Sequence, residues 1–260
     1  MTHYKSNPYM SVELEYSFSY DANRRAVVHY SEQQPVLSDL FYTKTEDTIS
    51  NPNPVTKFVS RPCTLSYWHE KGTRKVISKL FTQVNNSYGM IGTSCGYHVH
   101  ISRKDMTLMH VLRFNLFFAL HKPLVQFIAR RADSFQVEFA DYNCTLPLRI
   151  YCEKSASADS DRWAVNINLE DTIEVRAFRG TYSSNNFYIA LEFVHSVYMF
   201  TKYHCSVTMC TDKYIDNILS SYISYIKNDK RYQAIYIYIN NYIEKTKHFI
   251  NVGYLNLANL

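Results

Sequence analysis

The sequence predicts an α+β domain built around antiparallel strands. Three observations predict it. First, three short segments alternate polar and apolar residues with the two-residue period of a strand. They are Val12-Glu13-Leu14-Glu15, His98-Val99-His100-Ile101 and Ile173-Glu174-Val175-Arg176. Second, strand-like stretches at 162–169 and 172–178 flank a Glu170-Asp171 turn, the pattern of a hairpin. Third, longer stretches space apolar residues for a helix, as at Leu108, Leu112, Leu116 and Ala119.

Taken in order, residues 11–19 read as a strand. Residues 30–42 fit helix and strand equally. Residues 43–55 contain Asn51-Pro52-Asn53-Pro54 and read as a loop. A short strand at 57–60 and a helix at 74–84 follow. Gly89, Gly92 and Gly96 mark residues 88–96 as a turn region that feeds a strand at 97–102. A long helix is expected over 105–121, with Asp105 as its N-cap. Pro123 interrupts or kinks it before helix resumes to Arg131. Residues 153–161 form a polar loop, 187–204 another helix, and the chain from Asp212 a helical pair. No internal repeat and no linker is visible.

Composition narrows the function classes. Hydrophobic residues make up 46% and charged residues 20%, the profile of a soluble globular protein able to bury a sizeable core over 260 residues. The net charge of +5 is spread without a run of like charges. That argues against a nucleic-acid partner and leaves a weak preference for anionic ligands such as nucleotides. The 23 tyrosines, many beside Lys, Asn and Ile, fit genome base bias. None of the six cysteines stands in a CxxC pair or a zinc-site spacing. The first ten residues lack an apolar h-region, and no 18-residue apolar stretch exists. A cytoplasmic protein with reduced thiols and no membrane partner is the expectation.

The three alternating segments carry the chemistry. On a strand, residues i and i+2 share a face about 7 Å apart. Glu13 with Glu15, His98 with His100, and Glu174 with Arg176 each do so. If their strands belong to one sheet, one face gathers three carboxylates, two imidazoles and a guanidinium. Each pair alone equally describes a solvated sheet face. Together they suit Mg²⁺ or Mn²⁺ with positions open to phosphate oxygens. Two carboxylates so spaced could also serve two separate metals.

Gly96-Tyr97-His98-Val99-His100, preceded by Thr93-Ser94-Cys95, resembles the "cGxHVH" signature of the amidoligase family. Val12-Glu13-Leu14-Glu15 resembles its "ExE" strand. Arg162-Trp163-Ala164-Val165-Asn166-Ile167-Asn168 resembles its "RYxAlN" segment, and 172–181 (TIEVRAFRGT) its "TIEFRxFxGT" block. The resemblance spans about residues 10–200. It implies a glutamine-synthetase-like curved antiparallel sheet with helices on one side, cradling ATP and Mg²⁺ or Mn²⁺. It implies a ligase that joins a carboxylate to an amine, of an amino acid, peptide or protein side chain, through an acyl-phosphate. Residues 1–211 would be the catalytic domain and 212–260 a helical extension packed on it. Glu13, His98 and Glu174 would hold the metal beside the nucleotide phosphates, and Glu15 a metal on the substrate side. His100 and Asn166 would lie along the nucleotide, and Arg176 would contact the transferred phosphate. Arg179 is a further catalytic candidate, although on a regular strand it faces away from Glu174 and Arg176.

Two positions depart from the family. Ser11 replaces the usual glycine, and Lys57 stands where the family has an acid before its "vSp" strand, here Val59-Ser60-Arg61-Pro62. A cation cannot ligate a metal. Another acid (Glu46, Asp47 or Glu138) would have to supply that ligand, or the second metal is weakly held. Two other classes stay open. A DNA nickase would use His98-Val99-His100 as its metal site and Tyr242, near Lys245, as nucleophile. A degenerate member of the fold would bind and not catalyse.

Overall fold

The computed structural model describes residues 7–46, 55–91, 95–131, 164–204 and 215–251. Within them an eight-stranded antiparallel sheet runs in the order β2-β3-β1-β6-β8-β7. Its strands are β1 (Tyr9–Phe18), β2 (Phe41–Glu46), β3 (Val55–Ser60), β6 (Gly96–Ser102), β7 (Val165–Asn166) and β8 (Thr172–Arg179). The short β4 (Cys63–Thr64) and β5 (Gly89–Met90) pair with the ends of β1. The α+β class and the antiparallel sheet are as expected.

Alternation decides the two faces. Val12, Leu14 and Tyr16 of β1, Tyr97, Val99 and Ile101 of β6, and Ile173 and Val175 of β8 are buried in one core against the helices. Glu13, Glu15, His98, His100, Glu174 and Arg176 alternate with them and so occupy the other face. Removing the inner row from water is what holds these strands in register, because a slip of one residue would exchange the two faces.

The helical layer is centred on α7 (Ser184–Tyr203), whose residues from Phe187 to Thr201 are all buried. A helix apolar on every side belongs inside a protein, covered all round. Here Phe187 stacks on Tyr97 of the sheet at 5.3 Å. The helices α4 (Lys71–Asn86) and α5 (Leu108–Leu120) pack beside α7. So do α8 (Ile215–Lys227) and α9 (Gln233–Asn251), joined through a 3₁₀ turn, Lys230–Tyr232. The remaining helices are α1 (Asp21–Gln33), α2 (Pro35–Leu40), α3 (Leu65–His69) and α6 (Lys122–Ala129). Among the described residues no helix is long and apolar enough to cross a membrane.

Several expectations need correction. The long helix starts later than Asp105: Thr107 is its N-cap, the side chain accepting from His110 N–H at 3.2 Å. The expected stripe is buried only in its second half, at Leu116 and Ala119, while Leu108 is 81% exposed; the buried surface also takes in Val111, Phe114 and Phe118. Helix α5 ends at Leu120, and Pro123 opens α6 near its first turn, where a missing N–H costs nothing. The second helix stops at Ala129 because Arg130 turns left-handed, with φ of 56°. Thr43 to Glu46 belong to β2 and Val55 to β3, so the expected loop shrinks to residues outside the described ones. The ambiguous 30–42 stretch resolves into the end of α1, α2 and the start of β2.

The hairpin arm ends early too. Asn166 Oδ1 accepts from Asn168 N–H at 3.0 Å, and Arg103 draws the Ile167 and Leu169 carbonyls at 2.8 and 3.3 Å. These side-chain bonds compete with the ladder and leave β7 only two residues. Arg162 and Trp163, Thr93 and Ser94, loop 153–161, Asp47, Glu138 and the side chain of Glu46 lie outside the described residues.

Candidate active site

Register brings the polar residues together. Across β1 and β6, Glu13 pairs with His98; across β6 and β8, His100 pairs with Glu174. On the next strand Asn166 pairs with Glu174. Cross-strand partners on one face lie about 5 Å apart at Cβ, close enough for their side chains to meet.

They meet at Glu13 and Glu174. His98 Nδ1 lies 3.6 Å from Glu13 Oε2 and 3.2 Å from Glu174 Oε1. His100 Nε2 lies 3.4 Å from Glu13 Oε1 and 4.0 Å from Glu174 Oε1. Arg176 Nε stands 3.2 Å from Glu174 Oε1, and Asn166 Nδ2 donates to Glu174 Oε2 at 3.4 Å. Thr172, on the same face, sits 3.5 Å from His100 Nδ1. Beside them, Glu15 has Lys57 Nζ at 3.1 Å from Oε1 and accepts the Gly96 N–H on Oε2 at 2.6 Å.

The donor set fits a divalent cation. Two overlapping triads, Glu13–Glu15–His98 and Glu13–His100–Glu174, keep one ligand atom of each residue within 4.8 Å of the others. Ligands on opposite sides of an ion bound at about 2.1–2.5 Å are separated by that much. His98 Nδ1 and His100 Nε2 are buried and make no hydrogen bond of good geometry, although both face carboxylate oxygens. Polar atoms so placed are under-satisfied unless something bridges them. Oxygen plus imidazole suits Mg²⁺ or Mn²⁺.

Electrostatics favours a cation as well. Burial alone raises the Glu13 carboxyl, but the close approach of His100 and His98 outweighs it and holds the group well below the usual carboxylate range. Glu174 shifts the same way: burial raises it, and His98, Arg176 and His100 together lower it. Burial opposes charge on His98, yet Glu13 and Glu174 push it up to about 9. A metal held here would have to displace that proton, since only neutral imidazole ligates.

Of the residues expected from sequence, Glu13, Glu15, His98, His100, Asn166, Glu174 and Arg176 gather on this face. Arg179 does not join them through any ion pair among the described residues. A register shift between Tyr97 and Val99 sets Phe178 opposite Tyr97, facing inward, and Arg179 opposite Gly96. The bulge thereby brings Arg179 onto the face of Gly96, His98 and His100, where it is exposed.

Sequence reasoning missed two contributors. Gly96 must be glycine: a Cβ there would fall onto His98 Nε2 and within 2.9 Å of Arg131 Nη2. Arg131 itself, just past α6, is held to the Phe178 carbonyl at 3.2 and 3.1 Å. Nothing in the spacing of Arg131 signals this, because the left-handed Arg130 that aims it is a feature of the folded chain. Thr172 was legible, two residues before Glu174 on the same strand.

No protein-family model and no curated protein matches the chain. Among solved structures it is similar to a chain in the complex between prokaryotic ubiquitin-like protein Pup and its ligase PafA. The TM-score is 0.40 at 11% identity, over 92% of this chain and 58% of that one, so this chain spans little more than half of that chain's length. At that TM-score the likeness carries no functional weight.

Proposed function

We propose that this chain is a metal- and ATP-dependent carboxylate–amine ligase. The observation that carries the reading is the meeting of Glu13, His100 and Glu174 in one ligand triad, with His98 3.2 Å from Glu174 and Arg176 beside it. Glu13, Glu174 and the imidazoles would hold the ion, and Asn166 orients the Glu174 carboxylate. A bound Mg²⁺ would supply charge neutralisation for nucleotide phosphates. Arg176, on the rim, offers a guanidinium to the phosphoryl group as it moves from ATP to the substrate carboxylate. Phosphoryl transfer needs positioning and charge more than covalent help, which is what this face can give. The acyl-phosphate so formed is open to an amine, with phosphate as leaving group. The sheet's inner layer keeps the strands fixed, so the site is preorganised.

The nickase reading gains nothing from the fold. Tyr242 lies in the helical layer with its ring stacked on Phe127 of α6 at 4.0 Å, while the histidines are on the sheet.

The test is ATP hydrolysis by the full chain with pooled amino acids and amines, read with mass spectrometry for a new amide. Expected are Mg²⁺- or Mn²⁺-dependent release of ADP and phosphate and one amide product. A folded sample with no metal-dependent melting shift on adding ATP would overturn the reading. A shift without turnover on any amine would leave the degenerate binder instead.

A further inference from the structure

Two overlapping triads on one sheet face invite two divalent cations, but they are not equally open. In Glu13–His100–Glu174 the ligand atoms face one another, and the imidazole nitrogen makes no hydrogen bond. In Glu13–Glu15–His98 the middle carboxylate is already engaged on both oxygens. One faces the Lys57 ammonium at 3.1 Å and the other accepts the Gly96 N–H at 2.6 Å. The Lys57 contact is fixed by register, since Lys57 pairs with Glu15 across β3 and β1. Both side chains are largely buried, so water screens the pair little.

A charge count points the same way. With both imidazoles neutral, as ligation requires, Glu13, Glu15 and Glu174 contribute three negative charges and their ion-paired partners Lys57 and Arg176 two positive ones, which leaves −1. One divalent ion brings the face to +1 and makes it attractive to an anion. A second would bring it to +3 and sit against an ammonium.

We propose that Lys57 is a built-in cation of this site. Its ammonium takes the place that a second metal would hold beside Glu15, so the protein binds one divalent ion, at the Glu13–His100–Glu174 triad. An anionic group at the β3 end of the site meets an ammonium rather than a metal. The inference rests on the metal-site reading above.

The test is titration of the full chain with Mn²⁺ alone, counting bound ions by paramagnetic resonance of the free ion and by calorimetry. Wild type should bind one Mn²⁺ and Lys57→Glu two, because the new carboxylate removes the ammonium and adds a ligand. Glu15→Gln should weaken binding by about tenfold, the low end of what loss of an outer partner costs, while Glu174→Gln, which removes a ligand, should weaken it by more than about 100-fold. Two Mn²⁺ on wild type, or one on a folded Lys57→Glu chain, overturns the inference and leaves the metal site standing. No Mn²⁺ on wild type overturns both. Should Lys57→Glu fail to fold, the carboxamide pair decides, and Glu15→Gln losing as much as Glu174→Gln overturns the inference.

Discussion

Two buried clusters in this protein use the same residue types and end in opposite ionisation states. On the sheet, His98 lies 3.6 Å from Glu13 and 3.2 Å from Glu174. Their carboxyls are held low and the imidazole is raised to about 9. In the helical layer, His69 Nε2 lies 3.4 Å from Glu192 Oε1, and His195 Nδ1 shares a 2.8 Å hydrogen bond with the Tyr232 hydroxyl. There burial raises Glu192 to about 7, lowers His69 to about 4 and lowers His195 to about 3. The difference lies in the company each group keeps. The sheet cluster sets two imidazoles between two carboxylates, so attraction beats desolvation. Glu192 faces one imidazole, which burial and Arg74 keep neutral, and the α9 backbone donors of Ile235 and Ala234, so desolvation wins. A charged buried cluster is costly and suits a site that receives a cation. A neutral one ties α9 to α7.

The sharpest way to break this comparison is to neutralise one carboxylate in each cluster. Glu174→Gln should reduce metal-dependent ATP turnover by about 100-fold or more, roughly 3 kcal/mol of transition-state stabilisation. Its unfolding temperature should move little. Glu192→Gln should leave turnover within about twofold, since Glu192 lies in the helical layer and not on the face that carries the metal ligands. Equal losses of turnover from both variants would show that the two clusters do not differ in this way.

Stability against pH is the next lever, and its sign is distinctive. The folded pKa of Glu192 lies above its unfolded value. In that window the unfolded chain has released the proton that the folded chain keeps, so stability falls as pH rises from about 4.5 to about 7, by at most about 3 kcal/mol. His69 and His195 oppose it: their depressed values mean that stability falls as pH drops below about 6.5. Denaturant melts from pH 5 to 8, wild type against Glu192→Gln, isolate the carboxyl. The variant should lose less stability than wild type on going up in pH. Identical slopes would mean that Glu192 ionises normally.

How much of this was readable beforehand depended on range. The alternation of β1, β6 and β8 is local, so the face shared by Glu13, His98, His100, Glu174 and Arg176 was visible in the sequence. Which residues face one another depends on register. The bulge opposite His98 that moves Arg179 onto the site face, and the Lys57–Glu15 pairing, come from strands far apart in the chain. The helical cluster was invisible. His195 and Glu192 read as ordinary packing or solvated residues on their helix, because what buries them is α9, about 40 residues later. Periodicity read α5 only in part: Leu116 and Ala119 are buried as expected, but Leu108 is not, and Phe114, Phe117 and Phe118 fill much of the core.

A smaller effect tests the helical cluster itself. His195→Phe keeps a ring of similar size but removes the partner of the Tyr232 hydroxyl. A buried hydroxyl that loses one bond costs about 1–2 kcal/mol, here softened because Tyr225 lies 3.4 Å away as a second partner. Chemical denaturation should show that loss with metal binding unchanged. A loss of Mn²⁺ affinity would connect the two clusters in a way their geometry does not suggest.

The smallest expected effect is at Tyr242, and it separates the function classes. Tyr242→Phe preserves the ring stacked on Phe127 at 4.0 Å, so stability should change by less than about 1 kcal/mol. A ligase has no use for a hydroxyl in the helical layer, and ATP turnover should stay at the wild-type rate. A nickase needs that oxygen as its nucleophile, so the same substitution would abolish cleavage of single-stranded DNA while leaving the fold intact. Cleavage by wild type that disappears in Tyr242→Phe, with ATP irrelevant, would move the histidines from a nucleotide site to a scissile phosphate. The cluster would then still be a metal site, but Glu15, Lys57 and Arg176 would be left without a role.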